Sequence, residues 1–512
     1  TMTLFGRLKF NDLLFVPRRY KNGPNHWSTL KKKVTPKDKA LKHFDEFYKT
    51  VYGESWPNIR QAMLKEKNKQ LAVLNNFGDT EETIQKFELM GAVDLKEVYD
   101  IQLRNLPARN ARAKAKQKGD KKPTPDELDR RMENAAEEEQ MAAIRSLYPP
   151  EYDPPQKLLE DLREDDEAPK LDAPLEPVRM KSIEQEIDEA KFDLTRIVKP
   201  SMGLTSSTLH EYVPATKIKG MDDFVLESEH YGYYSRSADF SVKVEKDHPV
   251  LNIPSHLKIY AFEALNDSKF PPPRTGTAGV SNYYLMDGGS ILPVLALDLQ
   301  PGDTVLDMCA APGGKSFVAL QTLMPRALVA NDVKLSRVNR FNDVVDEYFG
   351  DLNVWDNRLF VTNSDGRDLT EMNVYNKILV DVPCTTDRHM LHEDDNNLFK
   401  PSRIRERLQL PELQSELLCH ALKMVAPGGT VVYSTCSLSP IQNDGVVQMA
   451  LKKTWEEQTE STMVVLDMME ALEPLRCLYK FGNFGLKYGH IVIPTKANNW
   501  GPLYFCKIMR VR

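Results

Sequence analysis

An alternation of apolar runs and helical repeats between residues 283 and 434 most constrains what this chain can fold into. The spacing of apolar residues predicts helices over 284–297, 335–348 and 410–425. Between them lie short apolar runs that predict strands over 304–308, 327–330, 359–361, 376–380 and 430–434. This order predicts an α/β fold, in which helices cover both faces of a mostly parallel sheet. Ligands of such sheets bind beyond the carboxyl ends of the strands.

The first of these strands runs into a turn of small residues, Asp307-Met-Cys-Ala-Ala-Pro-Gly-Gly-Lys-Ser316. A Walker loop ending in this Gly-Lys-Ser would need a glycine where Cys309 stands. The dinucleotide fingerprint would need glycines at its first, third and sixth places, which are also missing. What remains is a compact ligand whose ribose hydroxyls bind Asp332 after the next strand, and S-adenosylmethionine fits that description. A glycine turn that only packs helix on strand is the structural alternative.

A polar or reactive residue lies at or just beyond the end of every predicted strand, and these residues are Asp307, Asp332, Asp365, Asp381 and Cys436. Because the carboxyl ends of parallel strands converge at one edge, we expect the five to form one site. Helix N-caps explain Asp332 or Asp365 singly but explain the set poorly. In Asp381-Val-Pro-Cys384 a second thiol follows a strand end across a proline that fixes the turn. Both Cys384 and Cys436 should therefore face the ligand edge.

Two thiols, a carboxylate and a methyl-donor pocket indicate methylation of a carbon that is not itself nucleophilic, such as carbon 5 of a pyrimidine. A thiolate that adds to carbon 6 makes carbon 5 enamine-like and able to take a methyl group. The pKa of a free thiol is about 8.5, so the site must lower it or supply a base. One thiol is expected to attack and the other to assist release, and this chemistry alone leaves open which does which.

Composition excludes several other classes of protein. The chain has 512 residues, enough for two or more domains, and its 41% hydrophobic and 28% charged residues are ordinary for a globular protein. Its net charge of -6 gives no global nucleic-acid signature. The six cysteines form no Cys-x-x-Cys pair, so we expect no metal site, no disulfide framework and a reducing compartment. The chain has no run of about 18 apolar residues, so no membrane span is expected.

Changes in composition divide the chain into five predicted segments. Residues 1–33 carry eight basic residues against one acid, the composition of a mitochondrial transit peptide, although a basic tail is an alternative. Residues 34–103 have aromatic and apolar residues at helical spacing, which predicts an N-terminal helical region. Residues 104–200 are a charged segment, predicted to be largely disordered, and 201–282 form a collar and connection. Residues 283–512 are the predicted methyltransferase domain.

Three motifs resemble the Sun-type family of RNA cytosine-5 methyltransferases in the family's order and spacing: Asp307 to Lys315, Asp381-Val-Pro-Cys384 and Ser434-Thr-Cys-Ser437. The resemblance implies a Rossmann-like sheet of seven mostly parallel strands, a smaller N-terminal helical extension and S-adenosylmethionine as cofactor. It implies that Cys436 is the nucleophile, that Cys384 assists breakdown of the adduct and that Asp381 holds the cytosine edge. DNA cytosine methyltransferases use the cysteine after proline instead, which would make Cys384 the attacker.

The same resemblance implies a set of contacts to S-adenosylmethionine: Gly313, Gly314, Lys315, Asp332, Arg337, Asp365, Gly366 and Asp381. A basic stretch beyond the second motif is expected to hold RNA phosphates near the site, with a solvated helix start as the alternative. Its members are Lys400, Arg403, Arg405 and Arg407.

The mitochondrial branch of the family, which modifies small-subunit ribosomal RNA, is resembled more closely over residues 380–389, 432–438 and 501–507. This resemblance implies a location in the mitochondrial matrix and association with mitochondrial ribosomal subunits. It also implies a heterodimer with a helical-repeat protein of the mitochondrial termination-factor family, which would supply RNA affinity. A ribosome-assembly factor that mainly escorts a partner, or an enzyme acting on another RNA such as tRNA, are the alternatives. The charged segment 104–200 lies outside the resemblance.

Overall fold

The computed structural model describes residues 34–65, 68–119, 242–350, 355–458, 461–482 and 484–512. The predictions for residues 1–33 and 120–241 lie outside these ranges. The chain divides into two compact units, one formed by Thr1–Arg104 with Leu226–Arg512 and the other by Asn105–Val225. The first unit holds every strand of the described residues.

The helices of the described residues are α1 (Pro36–Tyr52), α2 (Trp56–Met63), α3 (Thr80–Leu89), α4 (Leu95–Gly119), α5 (Leu292–Ala296), α6 (Gly314–Gln321), α7 (Leu335–Tyr348), α8 (Asp387–His392), α9 (Ile404–Met424), α10 (Asp444–Glu457) and α11 (Met469–Leu472). None of them combines the length and apolarity required to cross a membrane. The strands of the same ranges are β1 (Gln70–Leu74), β2 (Ala92–Asp94), β3 (Val244–Lys246), β4 (Ile259–Phe262), β5 (Tyr283–Asp287), β6 (Thr304–Asp307), β7 (Ala327–Asn331), β8 (Leu359–Thr362), β9 (Tyr375–Asp381), β10 (Val425–Thr435), β11 (Met463–Asp467), β12 (Phe481–Gly482), β13 (His490–Val492) and β14 (Leu503–Arg510).

The larger sheet has five parallel strands at its centre, in the order β10-β9-β6-β7-β8. The middle strands β6 and β9 are buried, as expected for strands covered by helices on both faces. The predicted fold class is confirmed. Antiparallel β14 lies beside β10 and pairs on its other side with β13 and β11. The sheet therefore has ten strands in the described ranges where seven were predicted, because short strands such as β3 and β12 carry no periodic signal of their own.

A second sheet of four antiparallel strands has the order β2-β4-β1-β5. Two predictions are wrong here. The helix predicted over 284–297 begins as strand β5, and the connection predicted to end at residue 282 contains strand β4. The predicted helical region 34–103 does hold helices α1 to α3 and the start of α4, together with strands β1 and β2. In this sheet Leu74 pairs with Tyr283 and Ala72 with Tyr260, so its partners lie about 200 residues apart in sequence. Local periodicity carries no information about such pairs.

Helix α1 packs onto loops of the larger sheet. It starts at a capping box, in which Asp38 N donates to Thr35 Oγ1 and Thr35 N donates to Asp38 Oδ2. Its buried face includes Phe44 and Tyr48, and the Phe44 ring lies edge-on to Phe399 at 5.5 Å. Burial of each large apolar side chain contributes about 1.5–3 kcal/mol, which fixes α1 against α8.

Candidate active site

The turn between β6 and α6 is held against neighbouring side chains. Gly313 precedes α6 with φ +113°, a conformation that favours glycine, and a Cβ at this position would lie 3.0 Å from the Phe341 ring. A Cβ on Gly314 would lie 3.2 Å from Tyr284. Backbone conformation and packing therefore already explain Gly313, and packing favours a glycine at 314, so a case for a ligand must rest on the polar groups around the turn.

Asp307, at the end of β6, is a buried carboxylate with one oxygen satisfied. Ser316 Oγ donates to Asp307 Oδ2 at 2.5 Å, whereas Oδ1 accepts no hydrogen bond from the described residues. Burial raises the pKa of Asp307 to about 7, and the nearby Asp381 carboxylate adds to the rise. A donor brought by a ligand would complete this carboxyl group.

Asp332, just after β7, has the same half-satisfied arrangement. The backbone N–H of Lys334 donates to Asp332 Oδ1 at 3.0 Å, and Oδ2 lies 3.3 Å from Arg337 Nη1 without accepting a hydrogen bond within the described ranges. Arg337 also donates through Nη2 to the carbonyl of Ala311 in the glycine turn. The structure thus joins two predicted cofactor residues, Asp332 and Arg337, to the turn.

Asp365 and Gly366 follow β8 and lie under the same edge. Arg367 donates to both oxygens of Asp365, at 2.7 and 3.1 Å, and its hydrogen bonds hold the pKa of that carboxyl below its usual range. A Cβ on Gly366 would lie 2.8 Å from Met308 Cγ, which explains the glycine by packing. Sequence reasoning missed Arg367, whose position two residues after a predicted site carboxylate was the available signal.

Lys315 links the turn to the end of β9. Its Nζ lies 2.6 Å from Asp381 Oδ2, while Ser434 Oγ donates to Asp381 Oδ1 at 2.7 Å. The parallel register of β9 and β10 places Ser434 directly opposite Asp381. Burial alone would lower the pKa of Lys315, but the Asp381 carboxylate more than offsets this and raises it. Asp381 is therefore held from two sides, and Ser434, which sequence reasoning did not single out, is one of its holders.

The two predicted thiols lie together, with 3.1 Å between Cys384 Sγ and Cys436 Sγ. The backbone N–H of Cys436 also points at Cys384 Sγ, at 3.4 Å. Hydrogen bonding from Cys436 lowers the pKa of Cys384, and the same bond raises the pKa of Cys436 well above its usual value. The two thiols therefore titrate as a pair and not as independent groups.

Asp387, at the start of α8, joins the loops that carry the two thiols. Its Oδ1 accepts from the Thr385 and Ser437 hydroxyls, and its Oδ2 accepts from Leu438 N at 2.7 Å and from Tyr48 OH at 2.6 Å. These four donors fill the acceptor capacity of an ionised carboxylate, although burial raises the pKa of Asp387. Sequence reasoning missed this residue because its partners come from three separate segments.

The four predicted RNA-binding residues differ in their surroundings. Arg403 is held by both carboxylate oxygens of Glu406 and by a backbone carbonyl, and the Arg407 guanidinium lies 4.6 Å from the Phe399 ring centroid. Arg405 is exposed and Lys400 is partly exposed. Arg403 and Arg407 thus have structural contacts of their own.

The polar groups around the turn fit S-adenosylmethionine. Its ribose hydroxyls and amino group are donors, and Asp307 Oδ1 and Asp332 Oδ2 are two buried acceptors at this edge that receive no hydrogen bond from the described residues. No group of three or more His, Cys, Asp or Glu side chains in the described part of the chain is arranged to hold a metal ion. A parallel sheet with acidic strand ends, a tight glycine turn and these orphaned acceptors defines an S-adenosylmethionine-dependent methyltransferase.

Comparison with known proteins narrows this class. Residues 294–476 match the family model described as 16S rRNA methyltransferase RsmB/F. The chain is 47% identical over 261 residues to 5-cytosine rRNA methyltransferase NSUN4 of Bos taurus, covering 50% of this chain and 67% of that protein. It is 32% identical over 508 residues to 5-cytosine rRNA methyltransferase nsun-4 of Caenorhabditis elegans, covering 95% and 96%. It is also 38% identical over 245 residues to tRNA (cytosine(34)-C(5))-methyltransferase, mitochondrial, of Danio rerio, covering 48% and 65%.

The chain belongs to the Sun-type family of RNA cytosine-5 methyltransferases. It is an enzyme that uses S-adenosylmethionine as methyl donor, and the predictions of family, enzyme class and cofactor are confirmed.

Proposed function

We propose that this enzyme methylates carbon 5 of a cytosine in mitochondrial small-subunit ribosomal RNA through a covalent bond from Cys436 to the base. The observation that carries the mechanism is the pair of sulfur atoms 3.1 Å apart, beside the anchored Asp381. Support for ribosomal RNA comes from the names of the bovine and nematode relatives, of which the second aligns with 95% of this chain.

Cys436 gives its proton to solvent and attacks as the thiolate, so the attack does not require Cys384. A bond forms between Cys436 Sγ and carbon 6, and the electron pair of the 5,6 double bond becomes available at carbon 5. The Lys315–Asp381 pair holds the cytosine edge and stabilises charge that develops on the ring nitrogen. Bound S-adenosylmethionine supplies the methyl group that carbon 5 takes.

Release of the product returns the two thiols to their starting state. Cys384 first gives its proton to solvent and then takes the proton from carbon 5. The electron pair of that C–H bond restores the 5,6 double bond, and the bond between carbon 6 and Cys436 Sγ breaks with its electrons on sulfur. Cys436 Sγ then takes one proton back from solvent, and the net products of the cycle besides the methylated base are the demethylated cofactor and one proton.

The test distinguishes the roles of the two thiols by trapping the covalent RNA–protein intermediate. The full chain is incubated with S-adenosylmethionine labelled in its methyl group and with mitochondrial RNA, for the wild type and for Cys384→Ala and Cys436→Ala. Cys384→Ala should accumulate an RNA–protein band that survives denaturant, and Cys436→Ala should give neither band nor 5-methylcytosine. Cys477→Ala, which removes an exposed cysteine, is the matched control and should behave as wild type. A band with Cys436→Ala alone would make Cys384 the attacker.

The same reaction tests the substrate. Label should enter small-subunit ribosomal RNA as 5-methylcytosine. Label confined to tRNA would favour the activity named for the zebrafish relative. If Cys436→Ala supports ribosome assembly as well as wild type in cells that lack the enzyme, the methyl transfer and an escort role are separate.

The proposal includes the location and partner implied by the family resemblance. The enzyme acts in the mitochondrial matrix, on mitochondrial ribosomal subunits, as a heterodimer with a helical-repeat protein of the mitochondrial termination-factor family. The word mitochondrial in the zebrafish relative's name supports the location. Protection of the enzyme from protease in mitoplasts tests the location. Purification of the enzyme from mitochondria, with such a partner recovered in an amount equal to that of the enzyme, tests the heterodimer. Recovery as a lone chain would refute the heterodimer.

A further inference from the structure

A basic pocket lies outside the site described above. It has a volume of about 230 Å³ and is lined by Lys65, Lys69, Lys269, Lys496, Asp267 and Asn499, among others. We propose that it binds a backbone phosphate of the substrate RNA, and this inference rests on the proposed function for the identity of the polyanion. No motif in the sequence indicates the pocket, because its lysines come from three separate segments.

The charge of the lining favours an anion. Four lysines line the pocket against one aspartate, an excess of three positive charges. Asp267 Oδ1 lies 3.0 Å from Lys65 Nζ, and the Asp267 side chain is 83% exposed, so water screens its charge. A phosphate group is the anion that an RNA substrate presents in largest number, and lysine ammonium groups bind it as point charges.

The Lys69 ammonium group is held in place by hydrogen bonds and is partly desolvated. Its Nζ donates to Asn498 Oδ1 at 2.7 Å and to the carbonyl of Glu263, and it lies 5.7 Å from the Trp500 ring centroid. Burial, with the neighbouring Lys65 charge, lowers the pKa of Lys69 to about 8. An anion in the pocket would favour the charged ammonium and offset that penalty.

The pocket is linked to the thiol loops through Arg388 and the adjoining Asp387. Asn499, one of its lining residues, accepts from Arg388 Nη2 at 2.8 Å, and Arg388 also donates to the Gly501 carbonyl. Arg388 directly follows Asp387, which holds both thiol loops. A cytosine that leaves its stack to reach the thiols has phosphates on either side, and one of these would occupy the pocket while the thiol site selects the base.

The experiment compares two double variants of the full chain. Lys269→Gln with Lys496→Gln removes two exposed lysines of the pocket, and Lys243→Gln with Lys246→Gln removes two exposed lysines on and next to β3 as a matched control. Binding of a fluorescein-labelled RNA hairpin with one unpaired cytosine is measured over a series of salt concentrations. The loss of one phosphate contact should reduce the slope of log Kd against log salt by about 0.7–0.9 and raise Kd roughly tenfold at low salt.

The control variant should keep the wild-type Kd and slope. Equal changes in both double variants would mean that only net charge matters, and an unchanged slope in the pocket variant would also overturn the proposal. The variants are first compared by thermal unfolding, and the charge-preserving double variant Lys269→Arg with Lys496→Arg should keep the slope that the glutamine double variant loses. If wild type binds the hairpin but methylates no RNA, the proposed function fails while the binding test of the pocket stands.

Discussion

Replacing Tyr48 by phenylalanine should weaken both the fold and the catalytic site. Tyr48 OH donates to Asp387 Oδ2 at 2.6 Å, and Asp387 is the carboxylate that holds the loops of Cys384 and Cys436. The substitution removes one oxygen atom from a buried ring and leaves the ring contacts in place. It therefore reports on the hydrogen bond alone.

Tyr52 on the same helix provides the matched control. Its OH donates at the same 2.6 Å, but to the uncharged carbonyl of Leu438, and its ring is also buried. Loss of a hydrogen bond to a charged group costs about 1.5–3 kcal/mol, against about 0.5–1.5 kcal/mol for a neutral pair. Tyr48→Phe should thus lower the free energy of unfolding by roughly 1 kcal/mol more than Tyr52→Phe does.

Urea unfolding, monitored by tryptophan fluorescence, measures the difference in the free energy of unfolding. The rate of single-turnover methyl transfer, measured as a function of pH, reports on the catalytic site. Without Tyr48 OH the pKa of Asp387 rises further, because that hydrogen bond favours the ionised carboxylate. The rate of Tyr48→Phe should therefore fall more steeply than that of wild type as the pH is lowered. Equal losses of stability in the two variants, together with parallel pH profiles, would refute the assignment of Asp387 as an ionised support of the thiol loops.

Three further predictions concern the cofactor edge. Asp332→Asn should weaken binding of S-adenosylmethionine roughly 10- to 100-fold in calorimetric titration, because a charged hydrogen bond to the ribose is lost; an unchanged Kd would contradict the role of Asp332. Gly366→Ala should destabilise the protein by about 1–3 kcal/mol in denaturant unfolding, since the added Cβ meets Met308 Cγ at 2.8 Å and Leu417 Cδ2 at 2.9 Å; wild-type stability would mean that these side chains move aside. The raised pKa of Asp307, about 7 against 3.8, makes the folded state bind more protons between these values, so stability falls as pH rises through that window. Asp307→Asn should remove this fall, roughly 4 kcal/mol, from the difference between unfolding curves at pH 4 and pH 8 without cofactor.

The sequence was most informative where one element carries its own signal. Strand β9 and the residues that follow it could be predicted because an apolar run leads directly into Asp381-Val-Pro-Cys384. The meeting of Cys384 and Cys436 followed from topology, since parallel neighbouring strands end at one edge. The distance of 3.1 Å between the sulfur atoms did not follow, because it depends on hydrogen bonds that the Asp387 carboxylate accepts from both loops.

Features that depend on residues distant in sequence could not be predicted from the sequence. Strand β5 exists because Tyr283 to Asp287 pair with β1, and the helical spacing of the same residues gave the wrong element. Lys315 was predicted as a cofactor contact from its motif, whereas its ion pair with Asp381 joins helix α6 to the end of β9, 66 residues away in sequence. The basic pocket likewise assembles lysines from three segments, none of which is distinctive in the sequence.

The position of strand β14 has a consequence for how the protein is made. Leu503–Arg510 is synthesised after the other strands of the described sheet, yet it lies inside that sheet, between β10 on one side and β13 and β11 on the other. Until it arrives, β10 has an open apolar edge, and such edges invite pairing with other chains. A nascent chain therefore exposes this edge until the strand emerges, and a premature stop that removes β14 should be as damaging as one in the middle of the chain.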